Sequence, residues 1–181
     1  MIKIAIADDH QTLIDGVSFR LEHESNISVV FTANNGKDLL KKIKQTPVDI
    51  VITDIKMPRM DGASLTKELK KDHSKIKIIV LSMFDQIEAI RKMIDCDVNG
   101  YVLKTSPMDQ LVIAIKTVYG GQDYYDSHLE GFSEDIQKSE TLQNSKLSQT
   151  EREILDLIAE GKTSKDIANI RDTAVSTVDT H

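Results

Sequence analysis

Val48-Asp49-Ile50-Val51-Ile52-Thr53-Asp54-Ile55-Lys56-Met57-Pro58-Arg59-Met60-Asp61-Gly62 decides the fold of this chain. A short apolar, β-branched run reads as a buried strand and delivers a carboxylate, Asp54, at its end. A proline then stiffens the loop, and Asp-Gly turns it into the next helix. The bland reading of Asp54 is a solvated loop acid, which its combination with Asp8 and Asp9 disfavours. Working outward, Ile2–Ala7 is a second apolar strand and ends on Asp8 and Asp9. That pair alone reads equally well as caps of the helix that follows. A strand over Ile76–Leu81 leads to Ser82, and one over Asn99–Leu103 leads to Lys104. In a doubly wound parallel sheet the strand ends converge on one crevice where the strand order reverses. Three carboxylates gathered there repel one another unless they hold a hard cation. An acidic pocket with one reactive carboxylate and one balancing lysine points to phosphoryl chemistry on an aspartate.

The rest of the chain up to about Tyr119 supports that sheet. Apolar runs at Ile2–Ala7, Ile27–Ala33, Asp49–Thr53, Ile76–Leu81 and Asn99–Leu103 alternate with amphipathic stretches, the pattern of βα units. The helices are predicted over Gln11–Glu24, Gly36–Gln45, Ala63–Lys71, Gln86–Ile94 and from Pro107 to Val118. In the first, Leu13, Val17 and Leu21 repeat every fourth residue as the buried stripe. The expected fold class is α/β, a five-stranded doubly wound parallel sheet over residues 1–120, plus a partial all-α domain. Gly120-Gly121 ends the fifth helix. Residues 121–146 turn polar and read as a linker that Leu129 and Phe132 could anchor. A helical block follows over 147–181: Ser148 and Glu151 have capping-box spacing, and a short helix is predicted over Ser164–Ile170.

Composition excludes several classes. The chain has 181 residues, 40% of them hydrophobic, with a net charge of −6 that argues against general nucleic-acid affinity. Its apolar runs are strand-length, well short of the roughly 18 residues a membrane span needs. Cys96 is the single cysteine, so no internal disulfide forms, in keeping with a reducing, cytoplasmic setting and a packing role. No glycine-rich phosphate loop follows the first strand, which speaks against nucleotide binding.

Residues 1–120 resemble the receiver domain of two-component response regulators, a flavodoxin-like fold. The resemblance is carried by Asp8-Asp9, Asp54, Met57-Pro58, Asp61-Gly62, Leu81-Ser82 and Gly100-Tyr101-Val102-Leu103-Lys104. It implies a phosphoaspartate at Asp54, formed with a sensor histidine kinase as partner. It also implies Mg²⁺ held by Asp9, Asp54 and the backbone carbonyl of Lys56, with Asp8 helping through water. Lys104 is then expected to pair with phosphoryl oxygens and Ser82 to donate a hydrogen bond to them. Tyr101 is expected to turn from exposed to buried when Ser82 moves. Such a switch catalyses only its own phosphorylation and dephosphorylation and is no enzyme in the ordinary sense. Thr105 stands after the lysine where many receivers have proline, often cis. A cis bond to Thr105 costs about 3–4 kcal/mol, so a trans bond is expected. Met83, bulkier than the residue common in receivers, is expected to narrow the mouth of the pocket.

Residues 147–181 are similar to the LuxR-type helix-turn-helix of the NarL/FixJ class, on Leu147-Ser148, Glu151-Arg152-Glu153, Ile154-Leu155, Ile158-Ala159, Gly161, Ile167-Ala168-Asn169 and Thr177-Val178. The resemblance implies DNA as partner, contacted by Thr177, Val178 and His181, and admits a homodimer. Arg171, Thr173 and Ala174 depart from the family's turn and cap. The chain stops at His181, so the domain is read as truncated in its recognition helix. From Lys146 onward seven acids face five bases, the wrong sign for phosphate attraction. The alternative function is a receiver acting through protein–protein contacts alone, with a non-functional remnant behind it. A phosphohydrolase is disfavoured because Lys56 stands where such enzymes carry a second aspartate.

Overall fold

The computed structural model describes residues 1–127, 129, 162, 163, 166, 167 and 170. Two compact units divide the chain, Met1–Glu130 and Gly131–His181. In the first, strands and helices alternate: β1 (Ile2–Ala7), α1 (Gln11–Glu22), β2 (Ile27–Ala33), α2 (Gly36–Ile43), β3 (Ile50–Thr53), α3 (Gly62–Asp72), β4 (Lys77–Ser82), α4 (Ile87–Ile94), β5 (Gly100–Leu103), α5 (Met108–Tyr119) and β6 (Tyr124–Tyr125). The sheet order is β2-β1-β3-β4-β5-β6, and all pairs are parallel. The order reverses between β1 and β3, which opens a crevice at their carboxyl ends.

The sequence-based expectation of five strands is corrected by β6, which lies in the stretch read as a linker. Two residues carry too little alternation to signal a strand. Their place is fixed by partners instead: Tyr124 N–H donates to the Asn99 carbonyl at 3.0 Å, and Asp126 N–H to the Tyr101 carbonyl at 2.9 Å. Asp126 and Leu129 are both buried, so the unit closes beyond residue 120.

The β-branched strands bury both faces, as a parallel sheet requires. One core joins Ile4, Ile6, Ile52 and Val102 of the sheet to Ile14, Val17 and Leu21 of α1 and Leu111, Ile115 and Val118 of α5. Ile14, rather than the expected Leu13, leads the buried stripe of α1, while Leu13 packs at its margin. Right-handed crossovers put α2, α3 and α4 on the opposite face, where Leu39, Leu65, Leu69, Ile90 and Met93 are buried. Cys96 is free and buried, as a packing residue would be. At the end of α5, Gly121 takes a left-handed φ of 91° that an L side chain would resist.

In the second unit the described residues 166, 167 and 170 are helical. Thr163 caps this helix: its Oγ1 meets Asp166 Oδ2 at 2.6 Å, and Asp166 Oδ2 accepts the Thr163 N–H at 3.0 Å. The expected cap at Ser148 and Glu151, and the departures at Arg171, Thr173 and Ala174, lie outside the described residues. Among the described residues, no helix is long and apolar enough to cross a membrane.

Candidate functional site

Strand register assembles the site without help from long loops. Ala7 pairs with Thr53, and Ser82 with Leu103, so the residues one step beyond emerge on a single edge. Backbone bonds extend that pairing: Asp54 N–H donates to the Ala7 carbonyl at 2.9 Å, and Lys104 N–H to the Ser82 carbonyl at 2.8 Å. The Asp61-Gly62 turn completes the scaffold. Asp61 caps α3 by accepting the Ser64 N–H at 2.8 Å. A Cβ at Gly62 would stand only 2.1 Å from the Asp54 carbonyl oxygen, so no other residue allows this approach.

Lys104 is the hub. Its Nζ lies 2.8 Å from Asp54 Oδ2 and 2.7 Å from Asp8 Oδ2, and the three side chains are almost wholly buried. The Asp54 contact is an aligned hydrogen bond. The Asp8 contact is one of charge, out of line for a hydrogen bond, and Asp8 Oδ2 has no aligned donor. Burial alone would push the ammonium's pKa down, but the contacts with Asp54 and Asp8 outweigh it and hold the pKa above the ordinary lysine value.

The remaining carboxylate oxygens face other donors. Asp54 Oδ1 accepts the Ile55 N–H at 2.6 Å, and Asp8 Oδ1 accepts the His10 N–H at 2.9 Å. His10 Nδ1 lies 2.9 Å from Asp9 Oδ1 and 3.1 Å from Asp8 Oδ1. One donor atom each from Asp8, Asp9, His10 and Asp54 falls within 4.8 Å of the others. Three carboxylates against one ammonium leave the pocket short of positive charge, and hard oxygen donors suit a divalent cation. The residues present therefore fit a metal ion. His10 escaped the sequence reading, although its adjacency to Asp8-Asp9 was the available signal.

A second cluster borders the first. The Lys56 ammonium lies 4.4 Å from the centroid of the Phe84 ring, a cation–π contact. Phe84 N–H donates to Ser82 Oγ at 3.3 Å, and its carbonyl accepts the Tyr101 hydroxyl at 2.5 Å. Tyr101 is already fully buried, with its hydroxyl held by Phe84, so the exposed starting state expected from the sequence is not the one found. Burial pushes its pKa up to about 12, against a hydrogen bond from Ser82 that lowers it. Phe84 was invisible to sequence reasoning because its role depends on how two loops meet. The Lys104–Thr105 bond is trans, as expected. Met83 is exposed and lines, with Leu13, Gly16 and Met108, an apolar cavity of about 540 Å³ beside Lys104. The expected DNA contacts Thr177, Val178 and His181 lie outside the described residues.

A model of the response regulator receiver domain matches residues 4–116, more than half of the chain. The chain belongs to the response regulator family. Residues 145–181 of this response regulator match the model of bacterial regulatory proteins of the luxR family, so a receiver is joined to a LuxR-type DNA-binding domain. The oxygen regulatory protein NreC of Staphylococcus epidermidis is 36% identical over 190 residues, covering 99% of this chain and 87% of NreC. The response regulator protein VraR of Staphylococcus saprophyticus is 30% identical over 180 residues, covering 99% of this chain and 86% of VraR. Among solved structures, RcsB of Salmonella enterica serovar Typhimurium, bound to a promoter with the phosphomimetic BeF3−, superposes with a TM-score of 0.69 at 27% identity. That match covers 98% of this chain and 86% of RcsB. The regulator is thus a transcription-regulating member of a two-component system.

Proposed function

We propose that Asp54 is the phosphoacceptor of this response regulator. The observation that carries the reading is the buried Lys104 ammonium shared between Asp54 Oδ2 at 2.8 Å and Asp8 Oδ2 at 2.7 Å. An Asp54 carboxylate oxygen attacks the phosphorus of a phosphohistidine on a sensor kinase. The P–O bond forms as the P–N bond breaks, and the imidazole leaves and takes up a proton. Lys104 then pairs with the phosphoryl oxygens as a compact cation. Mg²⁺, which Asp8, Asp9, Asp54 and the backbone carbonyl of Lys56 would hold, supplies neutralisation of charge on the transferring group. Water later cleaves the acyl phosphate, returning Asp54 and inorganic phosphate, so the regulator serves its own phosphorylation and dephosphorylation only.

Ser82 passes the event on. Its oxygen accepts the Phe84 N–H at 3.3 Å while its own proton is the one a phosphoryl oxygen would accept. A turn of Ser82 toward the phosphoryl group therefore draws Phe84, whose carbonyl holds Tyr101. The population moves toward a repacked face around α4, β5 and α5. We assign residues 1–120 to the receiver, 121–146 to a linker whose first residues add an edge strand, and 147–181 to the DNA-binding part. Thr177, Val178 and His181 are its DNA contacts, and a homodimer is the bound form. The free, buried Cys96 suits a cytoplasmic setting.

The test is exposure of wild type and Asp54→Asn to a small phosphodonor with Mg²⁺, read by intact mass. Wild type gains one phosphoryl group and Asp54→Asn gains none. Equal adducts on both proteins overturn the assignment.

A further inference from the structure

We propose that His10 is an additional metal ligand that turns the acidic site toward first-row transition ions. The inference rests on the reading of Asp8, Asp9 and Asp54 as the metal-holding carboxylates. His10 occupies the position that opens α1: its carbonyl accepts the Leu13 and Ile14 N–H groups at 3.0 and 3.2 Å. Ser, Thr, Asp and Asn side chains at such a position turn back to cap the helix; that of His10 makes no cap hydrogen bond. Its ring turns instead to the pocket, with Nδ1 hydrogen-bonded to Asp8 Oδ1 at 3.1 Å and 2.9 Å from Asp9 Oδ1, and a bound ion would take the place of the Nδ1 proton between them. The backbone is pinned while the side chain is 70% exposed, so the ring has room to close on an ion.

The pocket itself calls for a cation. Asp8 is 1% exposed, and its Oδ2 is held by the Lys104 ammonium at 2.7 Å, a single cation that Asp54 shares while Asp9 stands beside them. An ion with bonds of about 2.1 Å spans donors up to about 4.2 Å apart. The donor atoms of Asp8, Asp9, His10 and Asp54 lie within 4.8 Å of one another, so side-chain shifts of about half an ångström close the set. The neutral imidazole nitrogen is a borderline donor. It adds little for Mg²⁺, which prefers oxygen and keeps its waters, and more for Co²⁺ or Zn²⁺. Three carboxylates with one imidazole therefore make a site that takes Mg²⁺ yet binds a transition ion more tightly than carboxylates alone would.

Calorimetric titration of the full chain with Mg²⁺ and with Co²⁺, near neutral pH, tests this in wild type, His10→Ala, His10→Asn and Asp54→Asn. His10→Asn introduces a side chain able to cap α1, and the urea midpoints show whether each variant is folded. Both His10 variants are expected to lose about tenfold in Co²⁺ affinity while Mg²⁺ affinity moves less than about twofold. Excess Mg²⁺ displaces the Co²⁺, and pulsed EPR of bound Mn²⁺ shows nitrogen coupling that disappears in His10→Ala. An equal change for both ions, or no change with no nitrogen coupling, overturns the role of His10. If Asp54→Asn leaves binding of both ions untouched, the carboxylate reading itself fails. If Asp54→Asn weakens both ions and His10→Ala weakens neither, only the His10 inference fails.

Discussion

Charge balance at Lys104 sets the energetics of the site. One ammonium faces Asp54 and Asp8 in a buried setting, with Asp9 beside them. Removing it leaves carboxylates facing one another without compensation, whereas removing a carboxylate relieves repulsion. Lys104→Met is accordingly expected to cost about 3 kcal/mol of stability, and Asp54→Asn to leave stability unchanged or raised. Urea unfolding of the two variants without added metal measures both effects, and a larger loss for Asp54→Asn would contradict this balance. At this scale the sequence was informative where a residue ends a strand. Asp8, Asp54 and Lys104 each follow an apolar run, and parallel pairing leaves them no place but the shared edge. His10 and Phe84 were not legible in that way. One looked like an ordinary helix start, and the other acts through a cation–π contact between separate loops.

Among elements, β6 shows what local patterning misses. Tyr124–Tyr125 is too short for a periodic signal, yet Asp126 behind it accepts the Leu103 N–H at 3.2 Å in the buried rim of β5. Leu103 precedes Lys104, so this edge strand steadies the last residue before the site's only described buried ammonium. Asp126→Ala strands a buried donor and is expected to cost about 1–3 kcal/mol, with faster hydrogen exchange at the Leu103 amide. Unchanged exchange there, measured by NMR, would show that β5 holds its place without β6. The longer elements were readable because burial on both faces demands near-continuous apolar runs, and their ends differ from expectation by only a residue or two. The first helix showed the limit of counting: a four-residue repeat favoured Leu13, while the 3.6-residue turn sets Ile14 on one stripe with Val17 and Leu21, three and seven residues on.

For the whole molecule, the family places a receiver before a LuxR-type domain, and its relatives NreC and VraR carry the same span over most of their length. The receiver was legible from β1 to α5, because parallel pairing fixes where its strand termini gather, and illegible at β6. The second unit was legible as a motif, through its glycine and its apolar spacing, whereas the cap at Thr163 and Asp166 went unread. Thr177, Val178 and His181 were named as its DNA contacts on resemblance alone, since a net acidic segment gives no electrostatic footprint to follow. The switch proposed for this regulator depends on the Asp54 carboxylate receiving the phosphoryl group. Borohydride reduction of the phosphorylated protein converts an acyl phosphate into homoserine, and peptide sequencing by mass spectrometry locates it. The expected result is homoserine at position 54 and nowhere else; an unmodified Asp54 with the reduced residue at another aspartate would contradict the account.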